Sequence, residues 1–195
     1  MSQAPKVYPP VPASDPAIDP DNFWVFGYGS LMWRPGFDYV ERGLALLNGF
    51  SRDMCLISIH YRGTKEKPGM VCGLSPGGAC QGVAFRIAPE HVGRVVDYLD
   101  ERELISYIYI PRHVPVVLDT GVTVIARAYV ADAAHEQFAG GWSEEKKIAH
   151  VAQGVGSEGS SVDYLANIVA HLRELNISDP NLESLLEKVR GKIAG

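Results

Sequence analysis

Apolar spacing along this chain changes period part-way, and that change limits the folds open to it. Up to residue 87 the apolar residues come as short strand-like runs. Trp24-Val25-Phe26 leads into Gly27-Tyr28-Gly29-Ser30. A run over 55–61 is closed by Arg62-Gly63, and one over 69–74 by Ser75-Pro76-Gly77-Gly78, a turn by composition. Over 80–87, Val83 and Phe85 alternate with Ala84 and Arg86, as in a half-buried strand. The period then becomes 3.6. Val92, Val95, Val96 and Leu99 fall at i, i+3, i+4 and i+7 behind Pro89, predicting a helix whose last turn carries Glu101, Arg102 and Glu103. Strands over 107–118 and 122–130 form a hairpin around Asp119-Thr120-Gly121, and Pro111 and Pro115 make the first an edge or broken strand. The last third is helical. Ser143 caps one helix, ended by Gly154, and Ser160 or Ser161 starts a second with Leu165, Ile168, Val169, Leu172 and Leu175 on one face. Asp179-Pro180 starts a third with Leu182, Leu185, Leu186 and Val189. Sheet first and helices last predicts an α+β fold rather than a βαβ repeat.

Before the first strand, Pro5, Pro9, Pro10, Pro12, Pro16 and Pro20 forbid helix and central strand. Residues 1–22 therefore read as a proline-rich arm, extended or disordered, able to pack on the body through Val7, Tyr8 and Val11. Residues 23–195 read as the folded domain, and 195 residues suffice for one sizeable core.

Composition narrows the function. A net charge of −5 with no Lys/Arg run argues against nucleic acid and anionic membranes as partners. No apolar stretch reaches signal-peptide or membrane-span length, so the cytoplasm is the expected compartment. Cys55, Cys72 and Cys80 are odd in number, lack Cys-x-x-Cys spacing and lie in apolar runs, which predicts reduced, buried thiols. His60, His91, His113, His135, His150 and His171 are scattered, so no metal site is expected. The glycine-rich stretch has Met32 where a dinucleotide fingerprint needs its third glycine, and no Gly-Lys-Ser/Thr occurs. Ser30 lacks the flanking Gly-x-Ser-x-Gly of a nucleophile elbow.

Two stretches stay open to chemistry. In residues 28–31 the glycines around Tyr28 allow close backbone approach, and N–H groups in such a turn can converge on an anion such as a carboxylate. A tight turn with a structural tyrosine fits these residues equally well. Glu101, Arg102 and Glu103 fit a solvated helix end, yet acids there oppose the helix dipole, which leaves open a carboxylate kept for a purpose.

Taken together, Val25-Phe26-Gly27-Tyr28-Gly29-Ser30-Leu31-Met32-Trp33, Tyr61-Arg62-Gly63-Thr64, Lys67-Pro68-Gly69, Gly82-Val83-Ala84-Phe85-Arg86, Tyr98-Leu99-Asp100-Glu101-Arg102-Glu103, Gly156 and Asp163-Tyr164-Leu165 resemble the ChaC family over residues 24–189. These are the glutathione-specific γ-glutamylcyclotransferases. The resemblance implies a small closed or strongly curved mixed sheet flanked by helices. It implies conversion of glutathione to 5-oxoproline and cysteinylglycine without a cofactor, with Glu103 as the catalytic acid–base group. It further implies that the backbone of Tyr28, Gly29, Ser30 and Leu31 holds the γ-glutamyl group, and that Tyr164 is a pocket tyrosine. Two positions depart from the pattern of some members. Arg94 stands where a second acid occurs nine positions before the catalytic glutamate, and Met70 stands where an arginine is common.

Such a reaction needs a base to take a proton from the substrate α-ammonium, which then closes a ring on its own γ-carbonyl. Glu103 is accordingly expected to be partly desolvated, with its pKa raised. The N–H groups of residues 28–31 would hold the α-carboxylate, with the Tyr28 hydroxyl near the reacting amine or the carbonyl oxygen. Other γ-glutamyl amides are alternative substrates, and a non-catalytic γ-glutamyl-binding protein is the alternative of a different class. Oligomeric state is left open.

Overall fold

The computed structural model describes residues 8–104 and 106–195. Five strands close a barrel: β1 (Phe23–Gly27), β2 (Glu41–Ser58), β3 (Gly69–Ile87) and, after helix α1 (Val92–Glu103), β4 (Tyr109–Leu118) and β5 (Thr123–Ala131), in the spatial order β1-β3-β2-β4-β5. All neighbours are antiparallel except β1 and β5, which close the barrel in parallel with Trp24 opposite Ala126 and Val25 opposite Arg127. The parallel pair ends at one rim, and antiparallel β3 and β4 begin there. Helices α2 (Glu144–Gln153), α3 (Ser161–Glu174) and α4 (Pro180–Ala194) pack on one another and over β2 and β3. Ser143, Ser160 and Asp179 cap them as the sequence predicts, each side chain accepting a backbone N–H from the first turn.

Two strand boundaries differ from expectation. The Ser75-Pro76-Gly77-Gly78 tetrad does not end a strand, because β3 runs unbroken from Gly69 to Ile87. Gly77 and Gly78 have φ of 98° and 74° and oppose the single Gly49, whose φ is 87°. This is a bulge that bends the ribbon instead of reversing it. The same glycines serve either purpose, so composition does not separate them. The partner of β3 is longer than expected, since β2 starts at Glu41 and ends at Ser58 rather than at Tyr61. A second register shift lies between Asp53 and Leu56, beside Cys72.

The arm lies along the exposed edge of β4. Only Val116, Val117 and Leu118 of β4 pair with β2. On the remainder, the His113 N–H points away from β5 and donates to Asp15 Oδ2 at 2.9 Å. Pro111 and Pro115 share the phase of His113 and have no N–H to offer there. The prolines thus remove two donors from that edge, and Asp15 takes the one at His113. Asp15 also binds the Arg112 guanidinium through both oxygens, at 2.6–2.9 Å. Tyr8 packs on the core, Val11 is half-buried, and Val7 lies outside the described residues. The Asp15 side chain is 2% exposed, and the hydrogen bonds from Arg112 hold its carboxyl below the usual range. Asp15→Ala is expected to cost about 1.5–3 kcal/mol, as for buried hydrogen bonds to a charged group. Because the folded pKa is depressed, this contribution is present above the unfolded value and is lost as pH falls through the folded one. Urea denaturation at pH 7 and pH 3 checks both magnitude and sign.

Beyond β2, residues 59–68 lie flat on the connection between α2 and α3. A Cβ on Gly69 would overlap the Arg62 carbonyl and Ser161 Oγ, and one on Gly156 would overlap the backbone of His60 and Tyr61. This close approach lets the Ser161 hydroxyl accept the Met70 N–H at 2.9 Å and places the Arg62 guanidinium 5.2 Å from the centre of the Tyr164 ring.

Candidate active site

The rim where β1 and β5 end holds a small pocket, lined by Tyr28, Gly29, Ser30, Leu31, Cys72, Glu103, Tyr109, Tyr129 and Tyr164. All six residues singled out in the sequence line it. Glu103 comes from the last position of α1, Tyr164 from the first turn of α3, and residues 28–31 from the turn after β1. Cys72, Tyr109 and Tyr129 come from β3, β4 and β5. No sequence signal marks these three, because what makes them wall residues is the barrel closure that ends their strands together.

Among the described residues, Glu103 is the only charged one lining the cavity. Its side chain is 18% exposed, with Oε1 3.2 Å from Arg102 Nε. Burial raises its pKa, and the Arg102 guanidinium opposes part of that rise. Arg102 itself is anchored across the loop, donating to Ser30 Oγ at 2.9 Å, to the Arg34 carbonyl at 2.8 Å and to the Tyr98 hydroxyl at 2.9 Å. Glu101 is exposed.

The turn at 28–31 is aimed by a residue that the sequence does not reveal. Arg52 Nε donates to the Tyr28 carbonyl at 2.6 Å, its Nη1 pairs with Asp179 Oδ2 at 3.0 Å, and its Nη2 donates to the Gln81 carbonyl. In a planar trans peptide the N–H lies opposite the C=O, so fixing the Tyr28 carbonyl on Arg52 turns the Gly29 N–H the other way. Among the described residues, the N–H groups of Gly29, Ser30 and Leu31 have no protein acceptor. A side chain at Gly29 would approach the Tyr164 hydroxyl, which a Cβ would meet at 3.6 Å.

The tyrosines divide by where their protons go. The Tyr28 hydroxyl donates to the Tyr129 carbonyl at 2.8 Å, and the Tyr109 hydroxyl to the Cys72 carbonyl at 2.7 Å. Each retains lone pairs that can accept from an ammonium. With its proton on the Tyr129 carbonyl, the Tyr28 hydroxyl offers an acceptor to the pocket. The Tyr164 hydroxyl donates to no acceptor among the described residues. Burial raises all three phenols, so they remain protonated near neutral pH. Burial also raises the Cys72 thiol, which disfavours the nucleophilic thiolate.

The family model for ChaC-like proteins matches residues 23–192. The chain belongs to the ChaC-like family. Among curated relatives, the glutathione-specific γ-glutamylcyclotransferase of Escherichia coli K12 is 33% identical over 171 residues, covering 88% of this chain and 74% of the relative. The human glutathione-specific γ-glutamylcyclotransferase 1 is 30% identical, covering 86% and 76%. The crystal structure of a glutathione-specific γ-glutamyl cyclotransferase from yeast superposes with a TM-score of 0.80 at 26% identity, covering 88% of this chain and 96% of that one. This ChaC-like chain shares the fold of the yeast enzyme, and its described residues form a closed five-stranded mixed barrel with four α-helices.

The departures at Arg94 and Met70 lie outside the cavity wall. Nine positions along a helix is two and a half turns, so Arg94 faces away from Glu103. Its side chain is 67% exposed, 3.7 Å from Asp38. Met70 is fully buried. Among the described residues, no helix is long and apolar enough to cross a membrane, and no group of three or more His, Cys, Asp or Glu converges as metal ligands.

Proposed function

We propose that this ChaC-like chain is a γ-glutamylcyclotransferase that converts glutathione to 5-oxoproline and cysteinylglycine, with Glu103 as its general base and then its general acid. One observation carries the reading: a single, largely buried carboxylate shares a cavity with a turn whose N–H groups are unsatisfied. The substrate α-carboxylate binds the N–H groups of Gly29, Ser30 and Leu31. The α-ammonium rests among Glu103 and the lone pairs of Tyr28 and Tyr109. Glu103 removes one proton, and the freed amine attacks the γ-carbonyl within the same molecule. Holding that bent conformer replaces a bimolecular encounter with an intramolecular one. The Tyr164 proton is free to steady the carbonyl oxygen as charge develops. Glu103 then returns its proton to the departing amine of cysteinylglycine, and no covalent enzyme intermediate forms.

Names of the relatives favour glutathione over other γ-glutamyl amides. Incubation with reduced glutathione and with γ-glutamyl-alanine, measuring 5-oxoproline and the released amine separately, tests this. Saturable glutathione binding without 5-oxoproline would instead indicate a binding protein.

The pH profile carries a signed prediction. Glu103 must be ionised to act as a base, so the acid limb of kcat/KM should lie above the ordinary carboxylate value of about 4.3. Arg102 lowers the Glu103 pKa, so Arg102→Gln should move that limb further up. A limb at the ordinary value, or one shifted down by Arg102→Gln, would remove Glu103 from the role.

A further inference from the structure

A second group of buried polar side chains lies one helical turn from Glu103, and the mechanism above does not use it. Asp100 Oδ1 accepts the Tyr129 hydroxyl at 2.5 Å and Arg127 Nη2 at 2.6 Å, while Arg127 Nε donates to the Tyr129 oxygen at 3.0 Å. The three bonds form a closed ring. The Asp100 and Arg127 side chains are 15% and 8% exposed, and Tyr129 is 1% exposed. We infer that Asp100, Tyr129 and Arg127 are positioning residues that set the distance between Glu103 and the turn at 28–31. This inference rests on the function proposed above.

The reason is mechanical. Glu103 is the last residue of α1, where helices fray. Its ionic partner Arg102 is the preceding residue of the same helix and holds the loop side only. Asp100 ties the opposite side to the barrel, and its carbonyl accepts the Leu104 N–H at 3.0 Å, closing the helix end. Tyr129 links both halves of the cavity. Its backbone carbonyl holds the Tyr28 hydroxyl, and its own hydroxyl holds the helix that carries Glu103. A continuous path of hydrogen bonds therefore runs from Tyr28 to the turn before Glu103. An acid in the last turn opposes the helix dipole, so Asp100 depends on Arg127 for its place. A buried network with every member bonded tolerates little displacement.

Other titratable groups surround the ring. His113 sits opposite Arg127 on β4, and burial followed by Arg127 pushes its pKa down, favouring the neutral form. Tyr8 of the arm lies near Asp100 and Glu101. Glu103 itself faces Arg102 and the phenols of Tyr28, Tyr109 and Tyr164.

The test assays Asp100→Asn, Arg127→Met and Tyr129→Phe for glutathione turnover across pH. It also follows the Glu103 carboxyl by carbon-13 NMR. Each variant should lose about tenfold or more in kcat, since displacements of ångström size cost up to about 100-fold, with KM changed by less than about threefold. Each variant should let the Glu103 carboxyl move toward solvent, so its titration should fall toward the ordinary carboxylate value, read in protein that still melts cooperatively. Wild-type kcat in Tyr129→Phe and Asp100→Asn, a loss carried by KM, or a Glu103 titration unchanged from wild type would overturn the brace. If the native chain makes no 5-oxoproline, the proposed function fails, and the brace then stands or falls on the NMR titrations alone.

Discussion

Glu103→Gln is expected to lower the turnover of glutathione by about 100- to 10,000-fold, the range spanned by removal of a general acid–base group. Glutamine keeps the size and one hydrogen-bonding oxygen, so KM should change little. The fold should not suffer, and the sign can be worked out. Burial raises the Glu103 pKa in the folded state. Folding therefore favours the protonated group, and wild-type stability from this source is full below the unfolded pKa and declines as pH rises through the folded one. At pH 7 the variant avoids that penalty and should melt at or above the wild-type temperature. Near pH 4 the difference should narrow. Lost activity with an intact or higher melting temperature assigns the effect to chemistry. Wild-type turnover in the variant would reject Glu103, and a collapsed melting temperature would make it a structural residue.

Arg52→Met should produce the largest stability loss. It leaves the Asp179 carboxylate, 14% exposed, without its cation, and the Tyr28 and Gln81 carbonyls without their donor. Breaking a buried ion pair from one side costs about 3–5 kcal/mol, roughly 10 °C in melting temperature for a chain of this size. Asp179→Asn retains a good helix cap while removing the orphaned charge. The double variant should therefore recover part of the loss, with non-additive free energies. Activity offers a separate readout. With the Tyr28 peptide no longer held, the Gly29 N–H loses its aim, and KM for glutathione should rise in the folded fraction. A double variant no better than Arg52→Met would show that Asp179 is not the cost.

The element pattern was largely legible. Apolar period separates strand from helix, and caps such as Ser143 and Asp179-Pro180 work within four residues, so α1 to α4 and the β4–β5 hairpin could be read locally. The bulge at Gly77-Gly78 could not. Positive-φ glycines suit a turn and a bulge alike, and only the partner strand, with Gly49 opposite, makes one of them. The same limit hid the first half of β2.

The sequence by itself determined the α+β order, the family, and the identity of Glu103, Tyr28–Leu31 and Tyr164 as residues worth uniting. Tertiary structure alone decided that they meet in one cavity, because β1 and β5 pair in parallel and end at a common rim. It also decided that Cys72, Tyr109 and Tyr129 complete the wall, that Arg52 orients the turn, and that Asp100 reaches Arg127. These contacts join residues 24 to 127 positions apart. A local motif reports what a backbone can do over a few residues. A guanidinium or phenol buried against a distant strand leaves no local trace, since its role depends on the partner that chain closure brings.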